Sequence, residues 1–158
     1  MSFKSTSTNP SMVGAGAAVV RNLKTLKAPE EGGNKKEYED FLEKIKNHVT
    51  ISWYFGKYIG YLLNHMEDPT IPEPTDMTVA EEAVKWKVRL WRQEVERYRD
   101  RRAVLEEEKG ALHAVLMGGV SKIIKSKLKS KTGYSKADEV NDSVWLLENL
   151  EDIIIFKM

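Results

Sequence analysis

The sequence predicts an all-α protein, an irregular bundle of about five helices with one long central helix and a disordered N-terminal arm. Three observations carry that expectation. Apolar residues recur at three- and four-residue spacing in several separate stretches, the period of a helix with one buried face. Charged residues of both signs make up 31% of the chain and fill the positions between them. Prolines and paired glycines (Pro69, Pro72 and Pro74; Gly118 and Gly119) fall between the stretches, where helices must stop.

Residues 1–34 are rich in Ser, Thr, Gly and Ala, end in Pro29, Gly32 and Gly33, and predict a mobile arm ahead of a helical domain over 35–158. Within the arm, Gly14, Ala15 and Gly16 resemble the start of a dinucleotide loop. Val19 stands where the third glycine belongs and no strand precedes it, so that reading fails. Tyr38, Phe41, Leu42, Ile45 and Val49 then mark an amphipathic helix over 35–49 with a charged outer face.

From Ile51 to Met66 the chain is at its most aromatic, with Trp53, Tyr54, Phe55, Tyr58 and Tyr61. Gly56 and Gly60 stand four apart, which in a helix puts them on one face and lets another backbone approach. A continuous helix and a loop leading into a shorter helix from about Lys57 are both compatible with this stretch. In either case the aromatic residues are expected in the core.

The organising element is the stretch from Thr78 to about Gly118. Val84, Trp91, Tyr98, Leu105 and Leu112 fall seven apart, with Val88, Val95, Arg102, Lys109 and Leu116 four behind each. This spacing predicts one apolar stripe along a long helix. The charged residues between, including Glu106, Glu107 and Glu108, are expected to face water. Thr78 with Glu81 three residues on is a capping-box signature at the front. Arg102 and Lys109 interrupt the stripe, which favours a helix packed in a bundle over a dry two-stranded coiled coil. After the glycines, Val120, Ile123, Ile124 and Leu128 predict a further helix, and Val140, Val144, Leu147, Leu150 and Ile154 a last one.

Composition excludes several functions. The 158 residues contain no cysteine, which removes disulfides, cysteine-ligated zinc and thiol catalysis, and fits an intracellular, cytoplasmic setting. Net charge is +1, so the molecule as a whole has no bias toward nucleic acid or acidic lipid. The weakly polar run from Met12 to Val20 is too short to span a bilayer. His48, His65 and His113 lie far apart with no second ligand at metal-binding spacing, and no phosphate-cradling loop or nucleophile turn is present. The expectation is therefore no enzyme, no catalytic residue, no cofactor, no metal and no small-molecule substrate.

Two surface features remain. Lys122, Lys125, Lys127, Lys129, Lys131 and Lys136 form a run without an acid, a candidate contact for RNA phosphates. The next segment reverses the sign, and the lysines could equally dock on it in a neighbouring copy. The apolar terminus Ile153, Ile154, Ile155 and Phe156 is a candidate self-association surface.

The run from Tyr38 to Val49, then Trp91, Glu94, Tyr98, Leu105, Glu106, Leu112, Val115 and Leu116, the lysine-rich helix, Gly133, Tyr134, and Trp145, Leu146 and Leu147 resemble the Gag-type capsid region of copia-type long-terminal-repeat retroelements. The likeness covers about Tyr38 to Ile155. It implies an all-helical capsid-like protein that assembles as a homo-oligomer into a shell around element RNA. The chain departs from such polyproteins in lacking a Cys/His zinc knuckle and any protease, integrase or polymerase part. The resemblance therefore implies an isolated Gag fragment or a host-adopted copy.

Overall fold

The computed structural model describes residues 20 and 22–155, and among them seven α-helices and no strand beyond one isolated bridge. In chain order these are α1 (Lys35–Ser52), α2 (Gly56–His65), α3 (Val79–Glu82), α4 (Lys85–Gly118), α5 (Lys122–Lys129), α6 (Tyr134–Glu139) and α7 (Ser143–Ile154). The all-α expectation holds, with a long central helix.

The expectation of a mobile arm over 1–34 is corrected over 22–34, where the chain is described. Residues 1–19 and 21 lie outside the described part. The chain from Asn22 to Asn34 is folded, with Leu26 and Ala28 fully in the core. Leu26 donates its N–H to the Gly119 carbonyl (2.8 Å) and accepts from Ser121 N–H (2.9 Å), which staples this segment to the α4–α5 turn. Pro29–Glu31 then makes one 3-10 turn, and Glu31 accepts from Ala28 N–H (2.8 Å) and the Ser121 hydroxyl (2.6 Å). The short periodicity of Val19, Val20, Leu23 and Leu26, set among Ser, Thr, Gly and Ala, is too weak a signal to read as core from sequence.

Asn34 caps α1 by accepting from Glu37 N–H (3.0 Å). The face marked by the spacing is the buried one: Tyr38, Phe41, Ile45 and Val49. Each contributes roughly 2 kcal/mol by leaving water. Of the two readings of the aromatic stretch, the loop followed by a shorter helix is correct. Trp53, Tyr54 and Phe55 turn the chain, and α2 returns against α1. Trp53 and Phe55 are core residues, whereas Tyr54 is 63% exposed.

Thr78 forms the expected capping box with Glu81, with both backbone bonds made (3.0 and 3.2 Å). It caps only the single turn of α3, because Val84 adopts an extended conformation (φ −106°, ψ 107°) and the long helix starts afresh at Lys85. At about 1.5 Å per residue the 34 residues of α4 run to roughly 50 Å. Its two halves differ in kind. The buried residues are Leu105, Glu108, Leu112, His113, Val115 and Leu116, all in the C-terminal part, which packs on α7 and α2. α5 and α7 close the core through Ile124, Leu128, Leu146, Leu147 and Leu150. α6 is an additional short helix within the charged region between them.

Glu108 corrects the expectation that the charges of α4 face water. It is fully buried.

Candidate interaction surfaces

The six lysines do not share one helix face. Lys122, Lys125 and Lys129 recur at i, i+3 and i+7 on α5, opposite the buried Ile124 and Leu128, and so share one helix face. Lys127 points elsewhere and forms an ion pair with Glu30 in the folded N-terminal segment. Lys131 lies past the end of α5 and Lys136 on α6. Ser121 orients the start of α5 by accepting from Ile124 N–H (3.4 Å).

The apolar terminus offers no surface at two of its four residues. Ile153 and Ile154 are only 6% and 7% exposed, packed in the protomer's own core, and Ile155 is half-buried against it. α7 presents this face inward because Ser143, Leu146, Leu147, Leu150, Ile153 and Ile154 form one helical stripe. Phe156 lies outside the described residues.

A surface the sequence reading did not single out lies earlier. From Pro72 to Val104 no residue is buried, although the stretch contains Val79, Trp86, Leu90, Trp91 and Val95. The stripe of Val84, Val88, Trp91, Val95 and Tyr98 is half-buried, and the extended segment before α3 lies beside it near Tyr98. There the Trp91 indole N–H donates to the Thr75 carbonyl (2.9 Å). Val79, Trp86 and Leu90 remain 84%, 59% and 49% exposed. No face of α4 is buried before Leu105, so the body of the protein covers only the C-terminal part of the helix. Of the polar intruders in that stripe, Lys109 is largely covered and pairs with Asp68 (3.2 Å) and Glu106 (2.9 Å), while Arg102 is exposed.

Of the ionisable groups inside the fold, Glu108 has backbone partners, while the buried His48 Nε2 has no hydrogen-bond partner among the described residues. Glu108 reaches from α4 across to the turn before α2, where its two carboxylate oxygens accept from Tyr54 N–H (2.9 Å) and Phe55 N–H (2.7 Å). No side chain of the turn itself caps α2, so this carboxylate takes that role and places negative charge at the helix N-terminus. Burial pushes its carboxyl above the ordinary range, against the pull of the two N–H bonds. Burial lowers the His113 imidazole, with Asp138 and Asp142 opposing, which favours its neutral form. His65 stacks on Tyr61 with ring centroids 4.4 Å apart. The three histidines are not brought together, and among the described residues no group of His, Asp and Glu is placed to hold a metal ion.

A groove of about 680 Å³ runs between the folded N-terminal segment and α1, floored by Leu23, Leu26 and Phe41 and rimmed by surface charges such as Lys24, Asp40 and Lys44. Among the described residues no helix is long and apolar enough to cross a membrane.

Of the residues behind the capsid resemblance, only some come together near the C-terminal end, while Trp91, Glu94 and Tyr98 lie on the part of α4 that buries no residue fully. Tyr134 lies edge-on to Trp145 with centroids 6.0 Å apart, and Leu146 and Leu147 pack into the core. Tyr38 donates its hydroxyl to the Leu147 carbonyl (3.4 Å), tying the first helix to the last. Compared with known proteins, the chain matches no family model, no curated protein and no solved structure.

Proposed function

We propose that this is a non-enzymatic structural protein that works by self-association, in the manner of a retroelement Gag capsid segment. The observation that carries the reading is the stretch from Pro72 to Val104. It is well-formed helix and extended chain, yet it buries no residue fully and leaves Val79, Trp86 and Leu90 in water. Soluble proteins rarely keep such apolar surface without a partner for it. Sedimentation equilibrium tests the reading. The weight-average mass is expected to rise with concentration from the micromolar range upward, and Trp86→Ala with Leu90→Ala to lower it. A strict monomer over that whole range overturns the proposal. Ile154→Asp would not serve, because Ile154 is core and its loss tests folding.

RNA contact is a second reading, favoured by the common face of Lys122, Lys125 and Lys129, none of which makes an ion pair among the described residues. Phosphate neutralisation by that face gives affinity that falls steeply with salt. For a single-stranded RNA oligomer, the triple change to glutamate at these positions is expected to weaken binding at least about tenfold at low salt. Lys127→Glu is expected to do much less, since Lys127 is already paired with Glu30. Equal effects from the two variants, or binding insensitive to salt, overturn this reading.

A further inference from the structure

We propose that the stretch of α4 between Lys85 and Arg102 docks on the acidic face of α6 and α7 of a second copy, so that copies join head to tail. This rests on the self-association reading and supplies its two surfaces.

The first surface is strongly basic. Between Lys85 and Arg102 there are eight lysines and arginines against three acids. At its centre stand the exposed Trp86 and Leu90, four apart on one helix face, with the exposed Arg89 and Arg97 on the same side and the exposed Arg92 further round the helix. Arg101 is not part of it, since its guanidinium lies over the Phe55 ring at 5.5 Å. The second surface is the reverse in sign. From Asp138 to Asp152 there are six acids and no lysine or arginine. It too carries an exposed apolar residue, because Val140, between Glu139 and Asp142 in the chain, is 58% exposed. On α7, Glu148 and Asp152 stand one turn apart on the side opposite the buried stripe, and both are exposed.

Each surface therefore combines an exposed apolar element with a charged rim, and the rims are opposite in sign. Such pairing steers encounter and fixes register, while burial of the apolar anchors supplies the affinity. Neither rim is neutralised within one copy: among the described residues Arg89, Arg92, Arg97, Glu139, Glu148 and Asp152 make no ion pair. Since the two surfaces are different patches of the same chain, the contact is heterologous. It leaves one basic and one acidic surface free at the ends of every dimer, so growth continues into a ring or an open array. Nucleic acid is the poorer occupant of the basic stretch. Glu94, Glu96 and Asp100 interrupt its charge, and its centre is an apolar pair with no phosphate to meet.

The test is a charge exchange read by sedimentation velocity on the full chain. The wild type is expected to associate at low salt and to dissociate as salt rises to about 0.5 M, where the Debye length is only a few ångströms. Arg89→Glu, Arg92→Glu and Arg97→Glu together are expected to weaken association at least tenfold, and so are Glu139→Arg, Glu148→Arg and Asp152→Arg together. All six positions are exposed, so helical circular dichroism is expected to stay unchanged. An equimolar mixture of the two variants is expected to regain association, because each altered surface then finds a complement on the other. If the wild type associates and either variant does so equally well, or the mixture regains nothing, the docking proposal falls and self-association stands. If the wild type never associates, both fall. If the arginine variant keeps its mass but loses an RNA oligomer, the basic stretch serves nucleic acid and the docking proposal is overturned.

Discussion

Glu108→Ala is expected to destabilise the fold by about 3 kcal/mol, read as a lower midpoint in urea unfolding with the slope unchanged. The substitution strips both acceptors from Tyr54 N–H and Phe55 N–H, at a position with no exposed surface. Each buried donor left without a partner costs about 1–3 kcal/mol, and the lost methylenes leave a void besides. For a chain of this size the melting temperature falls by roughly 6–12 °C. Glu108→Gln keeps one acceptor but turns an amide N–H toward a backbone N–H, so it is expected to recover only part of the loss. The pH dependence separates the roles of charge and shape. Burial raises the folded carboxyl above its ordinary 4.5, so the folded chain holds the proton more tightly than the unfolded chain does. The group's contribution is therefore greatest below that ordinary value and declines as pH rises through the folded one. Glutamine cannot follow this, so the gap between wild type and Glu108→Gln is expected to widen as pH falls from 7 toward 4.5. An alanine variant as stable as wild type removes the capping role of Glu108, whereas a gap that narrows means that the two N–H bonds outweigh burial in setting its proton affinity.

That carboxylate also marks where sequence reasoning stops. The spacing of Tyr38, Phe41, Ile45 and Val49 identifies the inward face of α1 because aliphatic and aromatic side chains have one favourable environment. A glutamate has two, solvent or a set of backbone donors. Glu108 stands three residues after Leu105 and four before Leu112, a position on the buried side that its charge disguised. Conversely, the regular stripe through Trp91 and Tyr98 reads as core, and periodicity alone does not say how much of a helix the body of the protein covers. α7 shows the third kind of ambiguity. Ile153 and Ile154 looked like unsatisfied apolar surface because nothing in a one-dimensional pattern separates a residue that packs on its own protomer from one that packs on another. The lysine run was legible as composition, but the split between the common face of Lys122, Lys125 and Lys129 and the paired Lys127 depends on Glu30, 97 positions earlier in the chain.

The glycines of α2 separate a close backbone approach from mere helical tolerance. Gly56→Ala is expected to cost on the order of 3 kcal/mol, toward the upper end for overpacking, because a Cβ there would collide with the Val49 carbonyl and reach 2.9 Å from Thr50 Cα. Both obstacles are backbone of α1, so relief requires the α1–α2 hairpin to open and disturbs the turn that Glu108 holds. Gly60, one turn further on, faces the Thr50 hydroxyl at 3.3 Å, a side-chain atom that can rotate away. Gly60→Ala is expected to be near neutral, since about 1 kcal/mol of gained helix propensity offsets that adjustment. At Gly118, in the last turn of α4, a Cβ meets nothing within 4 Å, and alanine is expected to stabilise by up to about 1 kcal/mol. Denaturant midpoints for the three single variants check the ranking. The close-approach account requires Gly56→Ala to fall well below the other two. Equal effects at Gly56 and Gly60 would mean that the hairpin yields at both positions and that Gly56 is not needed for the two helix backbones to meet.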